Sequence, residues 1–311
     1  MSRKWTHTLQ TAGPLIGLIL IVIILSILSP SFLSLNNILN VLRQVSINAL
    51  IAFGMTLVIL TGGIDLSVGS ILALGGAITA KMLAGGMDPI LAVLIGLLAG
   101  GIMGAINGIV ITKGKVAPFI ATLATMTIFR GLTLVYTDGR PITGLGDSTF
   151  FKMIGKGYIS YVPLPVIWML IAFVILLFVL KKTVFGRGIY AVGGNEEASI
   201  LSGIKAGRVK IWVYIITGVL SAFAGLILTS RLNSAQPNAG MSYELDAIAA
   251  VVLGGTSLVG GRGWIFGTLV GALIIGVLNN GLNLLNVSPF FQQVVKGGVI
   301  LLAVLIDRRN K

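Results

Sequence analysis

Apolar residues crowd into ten blocks along this chain, near 14–29, 41–61, 67–84, 89–112, 117–136, 163–180, 211–230, 245–257, 263–285 and 289–306. A bilayer core of roughly 30 Å calls for about 20 apolar residues per helix, and most of the blocks meet that length. The pattern predicts an all-α polytopic membrane protein of about ten transmembrane helices, forming a single domain over residues 1–311. The eighth block is short, so it either spans with a break or re-enters. Broken backbone is tolerated at membrane depth only where it is buried in protein or lines a cavity. The first block follows a short basic start, as in a cleaved leader, but no A-x-A-like site follows it. Ser29 and Pro30 read as a helix end, so this block is taken as the first span.

The longest polar interruption runs from Lys181 to Lys210. Within it Asn195 suits an N-cap, Glu196 and Glu197 suit a first helical turn, and Gly203 suits a stop. Ala198, Ile200, Leu201 and Ile204 would give a roughly two-turn helix one apolar side. Such a helix is either a surface for another protein or a connector lying on lipid headgroups.

Glycine adds a second pattern. The 42 glycines are about twice the usual share of ~7%. Gly96, Gly100, Gly104 and Gly108 recur every fourth residue and form one ridge on the fourth block, and Gly267 and Gly271 begin the same spacing on the ninth. Ridges of this kind let helix backbones approach closely. The stretch Gly104-Ala-Ile-Asn-Gly108 with Pro118-Phe119 is also echoed by Gly276-Val-Leu-Asn-Asn-Gly281 with Pro289-Phe290. Blocks four and nine cross in opposite senses, so the echo predicts an inverted internal repeat, a common transporter design.

Charge orients the chain. Only 10% of residues are charged and the mean hydropathy is +1.02, far from a soluble domain's ~25% charged content. A net charge of +13 would suggest nucleic acid for a soluble protein; here the cations sit mostly between blocks, and no nucleic-acid partner is expected. With the N-terminus inside, the inner segments hold Arg3, Lys4, Lys113, Lys115, Lys181, Lys182, Arg187, Lys205, Arg208, Lys210, Arg262, Arg308, Arg309 and Lys311, 14 of the 22 basic residues. The excess of inner cations predicts cytoplasmic termini and a cytoplasmic Lys181–Lys210 segment, leaving Thr137–Val162 as the longest outer loop. There is no cysteine, and His7 is the single histidine, so neither a disulfide frame nor a histidine metal site is expected.

Polar residues inside the blocks are the candidates for chemistry, because they are costly in lipid. Asp65 interrupts an apolar run in Thr61-Gly-Gly-Ile-Asp65-Leu-Ser-Val-Gly-Ser70. Capping a helix start is its plainer role and ion coupling the alternative. Asn107, Asn279, Asn280 and Asn283 either bond across helices or face a pathway, and Arg130 and Lys296 either snorkel or pair with an acid. No phosphate loop, H-E-x-x-H or G-x-S-x-G occurs, so uphill transport requires either an ion gradient or ATP hydrolysed by another subunit.

Four stretches carry a family resemblance: Met55–Ser70, Ala191–Ile204, Arg231–Gly263 and Asn279–Val304. Through them the chain resembles the membrane permease subunit of ribose-type monosaccharide ABC importers, over nearly its whole length. The resemblance implies ten helices, a homodimer of permease copies in the bacterial cytoplasmic membrane, a separate ABC ATPase and an extracytoplasmic sugar-binding protein. It implies no enzymatic activity and no cofactor for this chain, with ATP used by the partner subunit. It places the ATPase-coupling helix at Gly194, Asn195, Glu196, Glu197, Ala198, Leu201, Ser202, Gly203 and Ile204. Permeases for xylose, galactose or branched-chain amino acids, an ion-coupled secondary transporter and a passive channel are the alternatives.

Overall fold

The computed structural model describes residues 2–309, and side-chain surroundings for residues 13–299, 301 and 305. The terminal cations and His7, on which the expected orientation partly rests, lie outside the residues whose side chains are described. The elements run α1 Ser2–Leu28, α2 Leu35–Leu60, α3 Val68–Ala84, α4 Pro89–Thr112, α5 Pro118–Thr137, α6 Thr149–Lys156, β1 Tyr158–Ile159, β2 Val162–Pro163, α7 Leu164–Lys182, α8 Val184–Gly194, α9 Glu196–Leu201, α10 Ala206–Leu232, α11 Tyr243–Leu253, α12 Ile265–Leu284 and α13 Pro289–Arg309. Six of these, α2, α4, α5, α7, α10 and α12, are long and apolar enough to cross a membrane; α3 and residues 13–28 of α1 are shorter apolar helices. The chain is a mostly helical, multi-pass membrane protein.

Local chemistry sets the boundaries. Ser34 caps α2, Asp88 caps α4 ahead of Pro89, and Pro118 opens α5 where its missing N–H is no loss. The α5 end at Asp138 and the α10 end at Asn233 both turn left-handed (φ 51° and 54°), a conformation Asp and Asn tolerate better than most residues.

α2 is the most buried of the six long helices. It packs against α10, α11 and α12, while α10 packs against α3 and α4. α2 and α10 meet at Gly54, where a Cβ would stand 3.0 Å from the Thr217 Cα, and the Thr217 hydroxyl donates to the Gly54 carbonyl at 3.1 Å. Thr56 and Thr268 share a 2.7 Å hydroxyl contact between α2 and α12.

The glycine ridge of α4 faces inward along its length. A Cβ on Gly96 would strike Thr79 of α3; on Gly100, Ala222 and Gly218 of α10; on Gly104, the Tyr214 carbonyl; on Gly108, the Ile211 Cα at 2.8 Å. Leu94, Leu98, Ile102, Ile106 and Ile109 stand exposed on the rest of α4, an apolar stripe suited to lipid. Gly267 and Gly271 likewise bring α12 onto the Gly254 and Ala250 carbonyls of α11.

Two expected loops prove structured. The polar segment 181–210, expected to hold one short helix, contains two. Thr183 caps α8 by accepting from Gly186 N–H at 3.1 Å, and Ile189 and Val192 are buried beneath it. Its last five residues belong to α10, which begins at Ala206. Six polar or glycine positions between Thr183 and Gly194 hide this short apolar face from any long-window reading. The segment 137–162, expected as the longest outer loop, likewise holds α6, capped by Ser148, and a hairpin of β1 and β2 paired antiparallel.

Substituting Gly100→Leu or Gly104→Leu is expected to separate α4 from α10 and sharply lower the amount of folded protein in membranes, read by immunoblot and detergent-stable gel filtration. Ile102→Leu, on the exposed stripe, leaves both unchanged.

Candidate functional site

Three groups of polar residues interrupt the apolar interior. The first surrounds the break between α2 and α3. Asp65 is fully buried, and its Oδ1 accepts from Ser67 N–H at 2.9 Å and Ser67 Oγ at 2.6 Å. The Ser67 amide lies at the start of α3, so Asp65 makes the kind of bond expected of a cap there, from just ahead of the helix. Ser67 holds the N-cap position of α3 without a side-chain cap bond, and Asp65 closes the turn that precedes it. Asn107 on α4 donates to Ser67 Oγ at 2.7 Å, and Thr122 on α5 donates to the Ile64 carbonyl at 3.1 Å. These bonds hold a non-helical segment against two neighbouring helices. Asp65 Oδ2, Asn107 Oδ1 and the Tyr214 hydroxyl, all buried, have no protein partner.

The second group spans Pro237 to Lys296. The Arg130 guanidinium on α5 donates to the carbonyls of Pro237 (2.9 Å) and Ala239 (2.8 Å), so its partners are backbone rather than an acid. Lys296 on α13 does find an acid, Asp246 on α11, at 3.0 Å with the Asp246 side chain only 5% exposed. Asn279 lies beside the same carboxylate. α11 starts from Ser242 in the left-handed region (φ 66°), and a Cβ on Gly69 at the start of α3 would meet the Gly240 carbonyl. The eighth block forms an 11-residue helix, and the irregular residues 233–242 ahead of it approach α3 and α5.

The four asparagines do not form one group. Asn107 belongs to the Asp65 turn, and Asn279 to Asp246. Asn280 pairs reciprocally with Asn37 of α2 (2.8 and 3.0 Å), and Asn283 accepts from Gln292 at 2.8 Å on an exposed edge. Asn37 was not a candidate from sequence. Its partner lies 243 residues away, beyond any local pattern.

The third group is the polar segment itself. Asn195 caps α9 by accepting from Ala198 N–H at 2.9 Å, Glu196 pairs with Lys210 at 2.6 Å, and Gly203 stops the turn at φ 84°. α9 is six residues, close to the roughly two turns expected. Ser199 faces inward and is buried, whereas Ala198, Ile200 and Leu201 are exposed, Leu201 at 89%. Glu197, Ser202 and Gly194 are exposed and Ile204 is half-buried. Behind α9, backbone meets backbone. Gly261 N–H donates to the Leu60 carbonyl at 3.0 Å, a Cβ on Gly193 would collide with that carbonyl, and Tyr190 donates to the Gly263 carbonyl at 2.9 Å. Burial raises the Tyr190 hydroxyl above its ordinary pKa, which keeps it a donor.

Residues 37–304 match the family described as branched-chain amino acid transport system / permease component. The chain is 67% identical to the ribose import permease protein of Bacillus subtilis over 97% of its own length and 94% of the relative's. It is 53% identical to the ribose import permease protein of Escherichia coli K12, with 100% and 96% covered. It is 46% identical to the D-allose transport system permease protein of the same organism, with 95% and 91% covered. No solved structure matches the chain.

Asp246→Ala is expected to strand the Lys296 ammonium and lower stability by about 3–5 kcal/mol, the usual cost of breaking a buried pair. Asp246→Asn combined with Lys296→Met should recover most of it, as read by thermal unfolding of the purified protein. Asp65→Asn keeps an acceptor for Ser67 and should fold normally, whereas Asp65→Leu should lose about 1–3 kcal/mol by leaving Ser67 unpaired.

Proposed function

This chain belongs to the branched-chain amino acid transport system / permease component family, and we propose that it forms the membrane pathway of an ATP-driven ribose importer. The observation that carries the reading is identity of 53–67% over nearly the full length to proteins named ribose import permeases in three bacterial species. The allose permease is less similar at 46%, so ribose is favoured over another monosaccharide, and over branched-chain amino acids. The chain is a transport component and not an enzyme. Energy comes from ATP bound and hydrolysed by a separate ATPase, and an extracytoplasmic binding protein delivers the sugar.

Ten helices, α1–α5, α7 and α10–α13, cross the cytoplasmic membrane in one domain, with both termini inside and two permease copies paired. Each of the ten apolar blocks lies on one of these helices. An inverted repeat of α2–α5 and α10–α13 organises the domain. Its support is a matched set of contacts: α2 packs on α10, α10 on α3 and α4, and α2 on α11 and α12. Glycines bring α4 onto α10, and α12 onto α11. Where the repeats pack, Asp65 and the Pro237–Ala239 carbonyls place polar groups beside discontinuous helices, the setting in which transporters take up solutes.

The exposed apolar side of α9 couples the permease to the ATPase. An 89% exposed leucine on a capped, salt-bridged helix is costly in water and well suited to a partner's cleft. Interfaces concentrate energy in a few such residues. Leu201→Asp and Ala198→Arg should therefore abolish co-purification of the ATPase and uncouple ATP hydrolysis from uptake at unchanged membrane levels. Glu197→Ala should weaken it less. Reconstituted without the ATPase, the protein should accumulate no ribose against a gradient; gradient-driven accumulation would overturn the ABC reading.

A further inference from the structure

The loop joining α11 to α12 presents a valine where an apolar side chain has no evident business. Val259 is 69% exposed, yet Thr256 and Gly260 on either side of it are buried. The loop is tightly held. Ser257 N–H donates to the Arg262 carbonyl at 2.9 Å, Gly260 N–H to Ser257 at 3.1 Å, and Trp264 Nε1 to the Gly254 carbonyl at 3.2 Å. Gly260 and Gly261 adopt φ of 97° and 70°, conformations that glycine enters freely.

What lies beneath this loop decides what can reach Val259. A Cβ on Gly62 would stand 3.6 Å from the Val259 carbonyl, so the loop sits over the end of α2, the most buried long helix. Lipid contacts the perimeter of a bundle and not the end of its central helix. Exposure of Val259 is therefore exposure to the aqueous side; one exposed valine is ordinary by itself, but this one adjoins the exposed apolar face of α9. The loop is also continuous with the α8–α9 segment: a Cβ on Gly261 would lie 2.8 Å from the Gly194 Cα, one residue before the α9 cap.

We propose that the Ser257–Arg262 turn, with Val259 at its tip, is a second part of the surface on which the ATPase docks, held in register with α9 by the Gly194–Gly261 contact. The proposal rests on the α9 docking reading above. Two apolar points set on one backbone-locked platform, Leu201 and Val259, would fix the orientation of the ATPase where a single short helix allows rotation. Arg262, exposed beside the tip, supplies a charged rim.

The chain has no cysteine, which makes the test direct. Val259→Cys and Leu201→Cys are each labelled with a photoreactive maleimide in inside-out membrane vesicles holding the complete transporter, then irradiated. Both are expected to give an adduct with the ATPase, and a polar maleimide should label each several-fold more slowly when the ATPase is present. An ATPase adduct from Leu201→Cys with none from Val259→Cys overturns this proposal and leaves the α9 reading intact. Loss of both adducts overturns both. An adduct from Val259→Cys to a second permease copy, or to lipid alone, also overturns the proposal. If Val259→Cys fails to reach the membrane, Arg262→Cys on the same turn decides between these outcomes.

Discussion

Close approach of helix backbones at small residues is the constraint on which this structure depends. In lipid, apolar side chains gain nothing by leaving their surroundings for one another, so helices associate through packing and hydrogen bonds. Gly54 beneath Thr217, Gly100 beneath Gly218 and Ala222, and Gly271 beneath Ala250 bring α2, α4, α10, α11 and α12 within reach of such forces. A single methyl group at any of these points meets backbone, which cannot step aside as a flexible side chain can. The same approach lets hydroxyls bond across helices, as Thr217 does to Gly54 and Thr56 to Thr268.

That packing in turn permits the helices to break. The turn at Asp65 and the run of turns over residues 233–242 leave backbone groups without helical partners. In a bilayer this is sustainable only inside protein. Asp65 answers the Ser67 N–H, Thr122 the Ile64 carbonyl and Arg130 the carbonyls of Pro237 and Ala239, while Asn107 donates to the Ser67 hydroxyl. Polar interior and glycine ridge are therefore one design: the ridge closes the bundle, and closure makes the polar breaks affordable.

The ends of the same helices meet the α8–α9 segment and the α11–α12 loop. Leu60, Gly62, Gly193 and Gly261 bring the end of α2, the base of α9 and the α11–α12 loop together through main-chain contacts. The base of α9 is thus joined through main chain to the end of α2, five residues before Asp65.

The amino-acid order by itself determined the membrane class, the position of every apolar block, the α9 cap at Asn195 and its stop at Gly203, and the inward face of α4. These are local: they follow from the length of apolar runs, the spacing of glycine and the preferences of capping residues, all properties of residues within a few turns. Local pattern also carried the family resemblance, since the motifs are continuous stretches. Only the tertiary structure decided that Asn107 and Thr122 close on the Asp65 turn, that Lys296 pairs with Asp246 and Arg130 with carbonyls, and that Asn37 meets Asn280. It also decided that Val184–Gly194 is helical, because the surface that buries Ile189 and Val192 comes in part from distant stretches of the chain. Partners 50, 107 and 243 residues apart leave no periodic trace, and a buried charge in lipid takes whichever group the packing brings near.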